Sequence, residues 1–175
     1  MKKFLSLALA LLISISLAAC GSGNKPLMYI SDNAYNITPE EYIDTLNEAV
    51  ESQHDSRYLS IPEFENSDQG IDIDSLYLCL AITTNDDGLI TKIHYDWDGT
   101  RENALKTVGL LLGTTGYMIS PETYETDLDD LDLMDTSSNH YETYCSVNGT
   151  KLSYRMIGNG RFNYFTIAPD DSESQ

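Results

Sequence analysis

Apolar and polar positions alternate along this chain in blocks of different period, and each block predicts an element. Apolar residues recur at Tyr42, Ile43, Leu46, Ala49 and Val50, the three-to-four spacing of one helix face. Thr38-Pro39-Glu40-Glu41 stands just ahead of that stripe. Thr38 caps, Pro39 takes the first helical position and Glu41 closes a capping box. A second stripe, Ala104, Leu105, Val108, Leu111 and Leu112, predicts a helix that Asp98 or Thr100 caps and Gly113 stops. Ser120-Pro121-Glu122 opens a short third helix carrying Tyr124, Leu128, Leu131 and Met134. Residues 53–74 read mostly as loop, with a short strand at Tyr58-Leu59-Ser60-Ile61 before Pro62.

Elsewhere the period drops to two. Taking Asp87-Gly88 as a two-residue turn pairs Leu78 with Trp97, Leu80 with Tyr95 and Ile82 with Ile93, all apolar and on one face. The opposite face pairs Cys79 with Asp96, Ala81 with His94 and Thr83 with Lys92. A one-residue slip would destroy that agreement. Asn148-Gly149 makes a second hairpin, pairing Cys145 with Leu152 and Tyr141 with Met156. Asn159-Gly160 makes a third, pairing Tyr154 with Phe165 and Leu152 with Ile167. The element order is α-β-β-α-(α)-β-β-β. It predicts a two-layer α+β domain, with helices on one face of an antiparallel sheet of about five strands and the other face partly open.

Residues 1–20, MKKFLSLALALLISISLAAC, have another pattern. Lys2 and Lys3 precede an apolar run from Phe4 to Leu17 that is shorter than the roughly 20 residues a bilayer span needs. This is the layout of a secretory signal peptide, and Leu17-Ala18-Ala19-Cys20 resembles the lipobox of bacterial lipoproteins. The resemblance covers the leader alone and implies cleavage before Cys20, with a palmitate-type lipid on its sulfur. It also implies an extracytoplasmic domain held to the cell membrane. Gly21 in place of Asp lacks that family's inner-membrane retention signal, which leaves the outer membrane open to it in an organism with two membranes. The expected organisation is then a signal peptide at 1–19, a lipidated N-terminus and flexible tether at 20–36, one α+β domain at 37–168 and an acidic tail at 169–175.

Composition narrows the partners. The chain has 28 Asp and Glu against 10 Lys and Arg, a net charge of −18, and loss of Lys2 and Lys3 would deepen the excess. Nucleic acid is excluded as a partner, because a phosphate backbone is bound by clustered Lys and Arg. A basic patch for anionic lipid is equally missing. The expected partners are the membrane, through the lipid on Cys20, and a protein or glycan of the cell envelope.

No cofactor or metal site is expected. The acidic runs Asn66–Asp74 and Asp127–Asp132 supply oxygen ligands but not the spacing of a calcium loop, and Thr83–His94 ends in His where that loop needs Glu. His54, His94 and His140 do not sit at helical metal-ligand spacing. No hydrolase elbow or phosphate-cradling glycine loop occurs, so no catalytic residue is assigned. In an oxidising compartment Cys79 and Cys145 would pair by default. The strand register sets them on opposite faces and weighs slightly against that bond.

The candidate surface is the open sheet face, where Tyr77, His94, Tyr144, Arg155, Phe162 and Tyr164 present rings and charge on rigid strands. A binding module of the envelope is the leading expectation, against the plainer reading of cross-strand pairs on a solvated sheet. The alternative is an extracytoplasmic hydrolase that uses carboxylates with His94 and Asp96. A solute-capturing transport subunit is disfavoured, since the mature chain is short for two lobes.

Overall fold

The Thr38 cap forms as its sequence dictates. Thr38 Oγ1 accepts from Glu41 N and Thr38 N donates to Glu41 Oε2 at 3.0 Å, opening helix α1 (Pro39–Ser52). The computed structural model describes residues 25–64, 71–74, 77–131, 133 and 139–170. The leader, Cys20 and the first residues of the expected tether lie outside them, as do Met134 and the end of the acidic tail. The remaining elements are β1 (Ile30–Ser31), β2 (Ala34–Tyr35), β3 (Ile71–Asp74), β4 (Leu78–Thr84), β5 (Ile90–Asp98), α2 (Glu102–Ile119), α3 (Tyr124–Asp130), β6 (His140–Val147), β7 (Thr150–Ile157) and β8 (Phe162–Pro169).

Strands β3 to β8 form one antiparallel sheet in the order β3-β4-β5-β8-β7-β6, and the helices cover one of its faces. The fold is therefore the expected two-layer α+β arrangement, with one strand more than anticipated. Every side-chain pairing expected for the three hairpins is present. Leu78, Leu80, Ile93, Tyr95, Trp97, Leu152, Tyr154, Met156, Phe165 and Ile167 are buried on the helix-covered face. Against them pack Tyr42, Leu46, Val108, Leu111 and Leu128 from the helices.

Six local expectations are corrected. The β4–β5 connection is not a two-residue turn: Gly88 N donates to Asn85 O and Asn85 N to Leu89 O, with Gly88 at φ 78°. That is a type I turn closed by a left-handed glycine, one residue out of step with a two-residue turn. A bulge then opposes Thr84 to Ile90 and Thr83 to Lys92, which leaves Thr91 over and restores the step. The pairing survives because the two offsets cancel.

Helix α2 does not stop at Gly113. It continues to Ile119, because residues 110–116 are buried and the hydroxyls of Thr114 and Thr115 donate to the carbonyls of Leu110 and Leu111. Neither Asp98 nor Thr100 caps it. Arg101 holds the cap position without a side-chain bond, and Asp98 instead accepts from Thr100 N and Oγ1.

Residues 58–61 are not a strand. Leu59 N donates to Thr107 Oγ1 and Ile61 N to Asn47 Oδ1, so side chains, not a neighbouring strand, satisfy that backbone. The strand in this region is β3, where Ile71 is buried and pairs with Leu80.

The expected tether joins the core earlier than residue 37. Asp32 and Asn33 take left-handed φ values of 52° and 62° and turn β1 into β2. Met28, Ala34 and Tyr35 are buried, and Met28 N donates to Met118 O. At the other end, Pro169 belongs to β8 and Asp170 N donates to Gly149 O, so the sheet and its bonds run past the start of the expected tail. Among the described residues, no helix is long and apolar enough to cross a membrane.

Candidate functional site

The face of the sheet turned away from the helices is built in rows, because facing residues of neighbouring strands share a side. Glu142 faces Arg155, Arg155 faces Tyr164, Tyr164 faces Asp96 and Asp96 faces Cys79. The next row runs Tyr144, Ser153, Thr166, His94 and Ala81. On the other side of the first row, Asp98 faces Phe162. Five of the six residues singled out in the sequence thus share one surface, and Tyr77, just ahead of β4, lines a hollow at its end. Tyr144 and Phe162 are its most exposed rings, at 69 % and 47 %. The lysine Nζ of Lys151 lies 4.9 Å above the Tyr144 ring.

His94 is the best-connected polar group of this face. Its Nδ1 lies 2.8 Å from Thr166 Oγ1 and its Nε2 lies 3.0 Å from Asp96 Oδ1, while its ring stacks on Tyr164 at 6.3 Å. The contact with Asp96 is close but not aligned for hydrogen bonding. It leaves Asp96 Oδ1 shut off from solvent and without a hydrogen bond. A hydroxyl, an imidazole and a carboxylate in series can move a proton. Acyl transfer also needs preorganised donors for an oxyanion. Here β5 and β8 each lie between two paired strands, so the backbone N–H groups around His94 and Thr166 are committed to the ladder.

A hollow of about 230 Å3 opens at one end of this face. The middle strand β5 contributes two short acids, Asp96 and Asp98, and β4 contributes Cys79. Rings stand around them, with Tyr77 ahead of β4 and with Phe162 and Tyr164 on β8. Arg101 Cζ sits 4.0 Å over the Tyr77 ring, Arg101 Nη2 donates to the Tyr77 hydroxyl, and Arg161 Cζ lies 5.2 Å over Phe162. Hydrogen bonds from Thr100, its hydroxyl first, hold the Asp98 carboxyl below its ordinary value, and Arg161 and Arg101 add to the effect.

The sequence marks Asp98 as a helix-cap candidate and Cys79 as a possible disulfide partner, and neither as part of the candidate surface. Their parity on the open face was readable there. Their closeness to Phe162 was not, because it depends on β5 pairing with β8 across two helices. Gly99, next to Asp98, is required where it stands: a Cβ there would lie 1.9 Å from Gly160 O, and Gly99 N donates to Arg161 O.

Residues 124–130 are helix α3 and residues 71–74 are strand β3, while residues 65–70 lie outside the described chain. Among the described residues, no three His, Cys, Asp or Glu side chains converge to hold an ion. Cys79 and Cys145 are not bonded to each other. Cys145 faces the helices on β6, where its Sγ donates to Asp127 O, and Cys79 lines the hollow on β4. Three strands separate β4 from β6, and the two thiols face opposite ways. Comparison with known protein families, curated proteins and solved structures finds no match to this chain.

Proposed function

We propose that this chain is an extracytoplasmic lipoprotein, anchored through a lipid on Cys20, whose α+β domain binds a partner of the cell envelope, protein or glycan, with the open face of its sheet. The observation that supports this reading most is the exposed Tyr144 and Phe162 on the same rigid surface as Arg155, Tyr164 and His94. Rings and Arg held on strands lose little side-chain freedom on binding, which is why they dominate interface energetics. The test is capture of envelope components by the wild-type chain and by a Tyr144→Ala, Tyr164→Ala variant. The variant is expected to lose the wild-type partners. Identical partners in both captures would sink the reading.

A second reading, hydrolysis through His94 and Asp96, draws on the series Thr166–His94–Asp96. The commitment of the surrounding N–H groups to the sheet places it behind the first.

A further inference from the structure

We infer that the hollow between Tyr77, Phe162 and Tyr164, floored by Cys79, Asp96 and Asp98, receives a single neutral sugar ring. This deepens the proposal above and rests on the open face being a binding surface. Size comes first: about 230 Å3 is below the roughly 300–1,000 Å3 of sites for drug-sized ligands, so the hollow takes one ring-sized group.

Charge comes next, and it removes both kinds of ion. An anion would meet Asp96, Asp98 and a chain carrying a net −18. A bare cation would seek Asp98, Asp96 and the ring faces, but Arg161 and Arg101 already act on Asp98 and cover Phe162 and Tyr77, and His94 lies beside Asp96. A wholly apolar group would cover the Asp96 side chain, which is 45 % exposed although its Oδ1 is not, and would offer the carboxylate no donor, which is costly. What remains is a neutral ligand with hydroxyl donors and an apolar ring face. Such a ring can donate a hydroxyl proton to the exposed side of the Asp96 carboxylate and lay its C–H face on Phe162 or Tyr164.

The test is titration calorimetry of the full chain in detergent. The probes are glucose and N-acetylglucosamine, neutral tetrasaccharides of glucose, galactose, mannose and N-acetylglucosamine, and acidic polygalacturonate. At least one neutral probe is expected to bind saturably in the millimolar range or tighter, and polygalacturonate is not. A tetrasaccharide binding tighter than its monomer assigns the ring to a glycan; equal affinity assigns it to a free sugar. Asp96→Asn, which keeps the side-chain shape, and Phe162→Ala are each expected to weaken binding tenfold or more. Glu142→Gln, on the same face but at its far edge, is expected to leave binding unchanged.

No saturable binding by any neutral probe overturns the assignment, as does binding indifferent to Asp96→Asn and Phe162→Ala. Loss of a captured envelope protein on Phe162→Ala, with no sugar bound, gives the hollow to a protein side chain and also overturns it. If Tyr144→Ala abolishes capture while no sugar binds, the sugar assignment falls alone and the sheet-face proposal stands.

Discussion

The most constrained residue of the core is Tyr42, whose hydroxyl lies 2.6 Å from both Tyr95 Oη and Thr115 Oγ1 with no solvent in reach. Counting protons orients the chain. Thr115 spends its one proton on Leu111 O, so Tyr42 must donate to Thr115, and Tyr95 to Tyr42. Tyr42→Phe leaves the Tyr95 hydroxyl buried without an acceptor. A loss of about 1–3 kcal/mol is expected in urea unfolding. Burial also raises these phenols, pushing Tyr95 up to about 12 from its ordinary 10.0 and Tyr42 well above that ordinary value. The folded state therefore keeps a proton on Tyr95 that the unfolded chain releases near 10. The stability tied to it is whole below pH 10 and is lost as the pH climbs toward about 12. An alkaline titration should show circular dichroism and tyrosinate absorbance changing together in that window. Full tyrosinate absorbance from a chain that is still folded would contradict this.

At the scale of elements, helix α2 shows how packing overrides a stop signal. Its glycines are not equivalent: a Cβ at Gly109 meets nothing within 4 Å, whereas one at Gly116 would lie 3.2 Å from Tyr124 Cβ on α3. Gly109→Ala is expected to stabilise by about 0.5–1 kcal/mol through helix propensity. Gly116→Ala should forfeit that gain or reverse it by forcing α3 away. Thermal melts of the two variants compare them directly, and equal shifts would contradict the contact. The sheet was more legible than the helix ends. Asn148-Gly149 and Asn159-Gly160 set hairpins whose alternation left one workable register, and both turns adopt left-handed φ values. Strand β3 was hidden because the alternation of Ile71 and Ile73 with Asp72 and Asp74 lies in an acidic run that looks like loop. The contact of β5 with β8 left no mark, since turn chemistry encodes only neighbours in sequence. For that reason the surface was foreseen and the hollow in it was not.

At the scale of the whole molecule, two ends of the sheet stand apart. The described chain enters beside Met118, Ile30 packs near Gly149, and Asp170 leaves at Gly149. The hollow lies at the opposite end of β8, beginning at Phe162. Seven steps of about 3.4 Å along that strand separate the ends by roughly 24 Å. The lipid anchor itself is tested by Cys20→Ala. That variant should lose incorporation of labelled palmitate and move from the membrane fraction to the soluble one, and unchanged fractionation would remove the anchor from the proposal.

The placement of the hollow far from the chain's entry has a mechanical consequence. A domain held at one end of its strands and pulled by a ligand at the other feels the force along those strands. The ladder hydrogen bonds run across that direction, so the load falls on many of them at once in shear, and they cannot be opened one after another. The sheet that presents the site would then also serve as the tie-rod between whatever is bound and the membrane.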